Sequence, residues 1–253
     1  MKWHARRGWF KAILRPALTA VLLGVFAGLL AGCLYPGEQR QERGVSYVES
    51  VDRIQSAVDR FQGDQGILPI ITAGEETPRY EKFRIDLDML QKQGYLDEIP
   101  STAFEQGGSA YFLLINEEQN PSVKVMDLQT AQKVNDVQRL VDKYRNSHDG
   151  KLPVKDKGET YPGLYTVNLK QAEAEAYDLK SVYSGQTLDY LVDEAGRVFA
   201  DYAFDIMQAL DKSGTSPQNN EDLREVLTEQ SYFVPVKSLP YRWIGGAPVA
   251  QLE

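Results

Sequence analysis

The feature that most constrains the fold of this chain is a pattern that occurs twice. Residues 51–61 read VDRIQSAVDRF and residues 134–144 read VNDVQRLVDKY, so four apolar positions recur 83 residues apart. Their 3-4-3 spacing places them on one face of a helix. A Gly-x-Leu-Pro motif follows each stretch, at Gly66 and at Gly150. Because helical periodicity alone does not supply that motif, we predict an internal duplication.

Each copy also contains two segments typical of a β-hairpin. Residues 110–116 and 188–193 are rich in β-branched and aromatic side chains, and residues 123–128 and 197–202 follow them after an acidic turn. A hydroxyl residue, an aromatic residue and a glycine precede each hairpin: Thr102, Phe104 and Gly107, then Ser181, Tyr183 and Gly185. The sequence thus predicts the α+β class, with a long helix and a small antiparallel sheet in each copy.

A shorter third copy closes the chain. Residues 206–212 repeat the end of the long helix, and residues 222–233 resemble residues 86–96. A segment of this length buries little apolar surface alone, so we expect it to pack on the second copy. Three residues are candidate caps for its short helix: Asn219, Asn220 and Asp222. We name the parts as follows: the first module (46–128), the second module (129–202) and the C-terminal segment (203–253).

The first 32 residues are predicted to be a secretory signal. Residues 1–16 carry five Lys or Arg and no acid, and the uncharged run 17–32 is shorter than the roughly 20 residues of a spanning helix. The run ends at Leu30-Ala31-Gly32-Cys33, and Cys33 is the only cysteine. These residues resemble the lipobox of bacterial lipoproteins. The resemblance implies cleavage before Cys33 and a diacylglyceryl group on its thiol; an uncleaved anchor is the alternative.

Removal of that signal makes the chain strongly acidic. Lys plus Arg falls from 28 to 23 while Asp plus Glu stays at 36, which leaves a net charge of -13. Such a surface is repelled by nucleic acid and by anionic lipid headgroups, so we expect no nucleic-acid partner and a membrane attachment through acyl chains alone. Residues 33–45 comprise the lipidated Cys33 and a polar stretch with the composition of a flexible tether.

The order of elements in one copy resembles the globular heads of type IV pilins and pseudopilins. It departs from them in that the apolar helix before the head is a cleaved lipoprotein signal, which argues against filament assembly. The whole mature chain also resembles uncharacterised lipoproteins of spore-forming Gram-positive bacteria. That resemblance implies a location at the cell membrane and a fold, and it implies no activity.

Candidate catalytic residues are few. A single cysteine excludes an internal disulfide, and two histidines make a zinc site improbable. His148 lies in a polar loop, and no nucleophile elbow, P-loop or dinucleotide fingerprint is present. Asp127 and Asp201 occupy equivalent places and suggest a carboxylate pair, but each precedes a helix that it could cap. We read residues 46–49 as a capping box at the first helix.

Acidic pairs and aromatic residues leave two further alternatives open. Glu75-Glu76, Glu117-Glu118 and Asp193-Glu194 lie in turns and are either Ca²⁺ ligands or solvated tips, the second being favoured by their spacing. The aromatic segments form either an exposed recognition surface or the seam between the second module and the C-terminal segment. The residues concerned are Tyr161, Tyr165, Tyr177, Tyr232, Phe233, Tyr241 and Trp243.

The sequence therefore predicts a non-enzymatic lipoprotein on the extracellular face of the cell membrane. Its predicted role is that of an interaction or structural module that binds an envelope protein or a wall polymer, without a cofactor or a resident metal. The alternative is a lipoprotein that binds a small ligand or a glycan between its two modules. A wall hydrolase is disfavoured because no catalytic set is recognisable.

Overall fold

The computed structural model describes residues 36–71, 73–214, 217 and 221–252. The leader, Cys33 and the candidate caps Asn219 and Asn220 lie outside this range. Residues Ser46–Glu253 form one compact unit. Helices and small antiparallel sheets alternate along it, which confirms the α+β class. None of the helices in the described part is long and apolar enough to cross a membrane.

The long helix α1 (Pro36–Gln65) enters the first module at residue 46, and from there it packs on a four-stranded antiparallel sheet whose strands are neighbours in chain order. Two short helices and a 3-10 turn (Phe104–Gln106) connect the strands. The remaining elements are β1 (Ile70–Ile71), α2 (Arg79–Lys82), β2 (Arg84–Ile85), α3 (Leu87–Lys92), β3 (Ala110–Ile115) and β4 (Ser122–Asp127).

Both faces of this sheet are covered. In the β3–β4 register, Phe112 pairs with Val125 and Leu114 with Val123, and all four share a core with α1. The predicted helix face supplies the other half of that core: Val51, Ile54, Val58 and Phe61, each at most 5% exposed. Alternate strand residues point to opposite faces, so Leu113 and the other intervening residues pack in a separate cluster.

Helix α1 begins earlier than the sequence predicted. It runs from Pro36, so residues 36–45 are helical in the structure and not the predicted flexible tether. Ser46 then lies inside the helix, where the backbone N–H groups already have carbonyl partners four residues back. The predicted capping box at residues 46–49 is therefore wrong.

The second module also combines a long helix, α4 (Leu128–Ser147), with a four-stranded antiparallel sheet. The sheet contains β5 (Val154–Tyr161), β6 (Leu164–Val167), β9 (Tyr190–Asp193) and β10 (Val198–Ala200). The segment predicted as one strand over 188–193 is divided, because β8 (Thr187–Leu188) pairs with β7 (Leu179–Lys180) in a separate ribbon. Tyr144, the fourth position of the helix pattern, is half-buried and stacks on His148 instead of entering the core.

Equivalent glutamines attach each long helix to its hairpin. Gln55 accepts a hydrogen bond from the Val123 amide at 2.8 Å and donates to the Pro121 carbonyl at 3.1 Å. Gln138 accepts from the Val198 amide at 2.7 Å and donates to the Gly196 carbonyl at 2.7 Å. Each side-chain amide therefore satisfies two backbone groups near the start of the second hairpin strand. The duplication itself stays a prediction.

The C-terminal segment contains two helices and a hairpin: α5 (Ala203–Ser213), α6 (Arg224–Gln230), β11 (Tyr241–Ile244) and β12 (Ala247–Ala250). Ile206, Leu227 and Tyr241 are buried in the same core as α4 and β9 of the second module. Residues 232–234 instead lie parallel to β4 of the first module, with a bridge between Val125 and Phe233. The C-terminal segment therefore contacts both modules.

Candidate functional site

A polar cleft of about 1220 Å³ opens where the two modules and the C-terminal segment meet. The first module contributes the loop before α2 and the turn between β3 and β4. The second module contributes β10, and the C-terminal segment contributes α6 and the approach to β11. The residues that line it include Glu75, Glu76, Arg79, Lys82, Glu117, Glu118, Gln119, Arg197, Phe199, Arg224, Glu225, Ser238, Leu239 and Pro240.

The three arginines of the cleft each have a carboxylate partner. Arg79 contacts Glu225 at 2.9 Å across the boundary between the first module and the C-terminal segment. The Arg197 Nε donates to Asp193 at 2.6 Å, and the Arg224 guanidinium makes a two-pronged pair with Asp222, at 2.7 and 2.9 Å. The Arg79 and Arg197 side chains are 45% and 61% exposed, whereas the enclosed, planar Arg224 fork gives its pair geometric specificity.

Arg224 is the most enclosed of these arginines. Its side chain is 7% exposed, and it also donates to the Ser238 carbonyl at 3.2 Å. The guanidinium carbon lies 5.0 Å from the centre of the Tyr80 ring, and that of Arg79 lies 5.4 Å from the same ring. Burial raises the pKa of Tyr80 to about 12, with both arginines opposing the shift. The cleft thus rests on a rigid cation–aromatic cluster.

Two of the predicted acidic turns line the same cleft. Glu75-Glu76 precedes α2, and Glu117-Glu118 forms the β3–β4 turn, so the fold brings together pairs that lie about 40 residues apart in sequence. Among the described residues, no three His, Cys, Asp or Glu side chains are grouped so as to hold a metal ion. The Ca²⁺ alternative therefore gains no support in this part of the chain.

The third acidic pair is not a solvated tip throughout. Asp193 is 2% exposed, and its carboxylate accepts from the Arg197 amide at 2.8 Å as well as from the Arg197 Nε. The prediction that this turn is solvated is therefore wrong for Asp193, because its carboxylate closes the β9–β10 turn. Glu194 beside it is exposed.

Asp127 and Asp201 both receive N–H groups at the start of a helix. The Asp127 carboxylate accepts from the Thr130 amide at 2.8 Å, which confirms it as the cap of α4. Asp201 accepts from the Ala203 amide at 3.0 Å and from the hydroxyls of Tyr241 and Tyr161, at 2.8 and 3.1 Å. Burial raises the pKa of Asp201, while these three donors oppose the rise. Neither carboxylate lines the cleft.

His148, Phe233 and Tyr241 lie outside the cleft lining. His148 is exposed at the C-terminal end of α4, where its Nδ1 contacts the Tyr144 carbonyl at 2.9 Å. Tyr241 is buried in the second-module core, which agrees with the seam interpretation. Phe233, in contrast, lies against Tyr47 of the first module, with 5.3 Å between the ring centres. Residues 232–235 therefore lie against the first module as well as the second, since the Tyr183 hydroxyl also donates to the Phe233 carbonyl, and the seam prediction named only one of the two.

The comparisons with known proteins support part of this description. The model of the YphF family N-terminal domain matches residues 47–127, which correspond closely to the first module. Neither the curated proteins nor the solved structures contained a match to the chain. The match agrees with the predicted resemblance to an uncharacterised family, and the resemblance to pilin heads stays a prediction.

Sequence reasoning missed the basic residues of the cleft. Arg79, Arg197 and Arg224 lie in different parts of the chain and belong to no motif. The sequence indicated only the Arg224 pair: Asp222 lies two residues before Arg224, and this spacing allows a short-range ion pair at the start of a helix. The acidic turns were identified individually, but nothing in the sequence indicated that two of them face one cleft.

Proposed function

We propose that the chain is a lipoprotein anchored through Cys33 to the extracellular face of the cell membrane. In this proposal it serves as a non-enzymatic binding module of the envelope, and its partner is an envelope protein or a wall polymer. The partner lies along the cleft between the modules. The acyl chains hold the protein at the membrane, because the mature chain is too acidic to be attracted by anionic lipids.

The size and lining of the cleft carry this proposal. Pockets for small molecules usually measure roughly 300–1,000 Å³ and are mostly apolar. This cleft is larger, at about 1220 Å³, and its lining is mainly charged and amide side chains, with few aromatic residues such as Phe199. An open polar surface of this kind suits an extended, hydrated partner better than an enclosed small ligand.

The same lining favours binding over catalysis. Within the described residues, the cleft lining contains no His or Cys, and one of its glutamates, Glu225, is engaged by Arg79. Arg224 is enclosed and held by its ion pair with Asp222, and an immobilised donor binds with a smaller loss of conformational entropy. The alternative, a small ligand or glycan between the modules, places the ligand in this same cleft.

Photo-crosslinking in living cells tests the proposal. Benzoylphenylalanine is introduced at Gln119 in the cleft and, as a matched control, at Gln171, an exposed glutamine outside the cleft lining. We expect the Gln119 position to give an adduct with a protein or polymer after irradiation and the Gln171 position to give none. Equal crosslinking at both positions, or no macromolecular adduct at Gln119, would count against the proposal. Saturable protection of Gln119 by a small molecule would favour the alternative.

A further inference from the structure

One stretch of the C-terminal segment is hydrogen-bonded to both modules. We call residues 231–240 the strap. On the side of the first module, the Val125 amide donates to the Tyr232 carbonyl at 2.7 Å, and the Val234 amide donates back to the Val125 carbonyl at 3.0 Å. Lys124 adds a bond from its Nζ to the Ser231 carbonyl at 2.9 Å. The strap thus lies along β4 as an additional, parallel strand.

Three other carbonyl groups of the strap accept hydrogen bonds from the second module. The Tyr183 hydroxyl donates to the Phe233 carbonyl at 3.2 Å, and the Tyr202 hydroxyl donates to the Val236 carbonyl at 3.1 Å. The Ala200 amide at the end of β10 donates to the Lys237 carbonyl at 2.9 Å. The backbone of the strap is therefore shared between the two modules, residue by residue.

The side chains of the strap fill the space between the modules. Val234 and Val236 are each 1% exposed. They pack in one apolar cluster with Tyr80, Leu113, Ile115 and Met126 of the first module and Ala131 of the second. Lys237 adds an ion pair to Glu81 of the first module at 3.1 Å. Apolar burial and hydrogen bonding therefore favour the same docked position.

The two sheets have no backbone hydrogen bond to one another in the part of the chain that is described. The strap reaches both, and it also supplies Ser238, Leu239 and Pro240 to the cleft. We propose that the strap is the element that couples the two modules, so that neither module opens at its strap-facing edge without the other. The same coupling fixes one side of the cleft.

Coupling between two sites is reciprocal, so it is tested from both modules. Hydrogen exchange of the full-length protein in detergent is followed at single-amide resolution by mass spectrometry. Tyr202→Phe removes one second-module bond to the strap, the bond to the Val236 carbonyl, and the readout is the Val125 amide in the first module. Lys124→Met removes one first-module bond to the strap, the bond to the Ser231 carbonyl, together with a bond to the Thr228 carbonyl outside the strap, and the readout is the Ala200 amide in the second module. We expect each variant to accelerate the distant amide roughly tenfold, because a buried carbonyl loses its partner.

Matched controls separate coupling from general loosening. Tyr165→Phe removes a tyrosine hydroxyl whose bond is to Glu159 within the second module, and Lys92→Met replaces an exposed lysine of the first module. Both controls should leave the distant amides at the wild-type rate. If Tyr202→Phe also accelerates the exchange of amides throughout the β6–β9 ladder, its effect on Val125 does not separate coupling from general loosening of the second module. The Lys124→Met variant, read at the Ala200 amide, then decides whether the two modules are coupled. Acceleration confined to the module that carries the substitution would overturn the proposal.

Discussion

The glutamine that joins α4 to its hairpin offers a sharp test of the fold. Gln138→Ala removes the acceptor of the Val198 amide and the donor to the Gly196 carbonyl, two contacts of 2.7 Å. Each partly buried backbone group that loses its partner costs about 1 kcal/mol, so we expect a loss of about 2 kcal/mol in the free energy of unfolding. For a domain of this size, that corresponds to a fall of about 4–8 °C in Tm.

The chain contains a matched control on the same helix. Gln132 also donates from Nε2 to an aspartate four residues later, Asp136, but it is exposed and touches no hairpin group. Gln132→Ala should change stability by less than about 0.5 kcal/mol, because alanine favours the helix and only a surface contact is lost. Urea denaturation followed by circular dichroism measures both variants. Equal stabilities for the two variants would refute the reasoning.

Three further predictions concern Gly108, Asp201 and the buried tyrosines. A Cβ on Gly108 would lie 2.1 Å from the Thr102 carbonyl oxygen, so Gly108→Ala should lower the free energy of unfolding by about 1–3 kcal/mol. A Cβ on Gly74 would have no atom within 4 Å, so Gly74→Ala should leave that free energy unchanged, and thermal denaturation compares the two variants. Burial raises the pKa of Asp201, so the folded state loses stability as the pH rises above 3.8, the ordinary value. The stability of wild type relative to Asp201→Asn should therefore fall as the pH is raised from 3.8 in urea titrations, and a pH-independent difference would contradict this. Burial also raises the pKa of Tyr80 to about 12, and that of other buried tyrosines, so absorbance at 295 nm should show fewer than the 14 tyrosines ionising near pH 10.

The local elements of the fold could be predicted from the sequence because short-range periodicity carries them. The apolar face of α1 from Val51 to Phe61 and the β3–β4 hairpin are determined by spacing and by β-branched content. The Asp127 cap was found for the same reason, since a carboxylate before a helix has few other roles. The start of α1 at Pro36 was missed because Gly37 and Gly44 are typical of loops.

The cleft and the strap could not be predicted, because both depend on contacts distant in sequence. Nothing near Val125 indicates that it pairs with Phe233, more than 100 residues later. The two strands of a hairpin are joined by a short turn with characteristic residues, whereas parallel strands are joined by a long connection that has no such residues to mark the pairing. Asp193 was misjudged for a related reason: its composition is that of a turn tip, while its burial follows from the Arg197 pair across the turn.

The account depends most on the processing of residues 30–33, which precede the described part of the chain. Intact-mass spectrometry of the native protein, purified from membranes with detergent, tests it directly. We predict a polypeptide that begins at Cys33 and carries the added mass of a diacylglyceryl group. A polypeptide that retains Met1, or one that begins at Cys33 with a free thiol, would contradict the membrane attachment and the envelope function proposed for this protein.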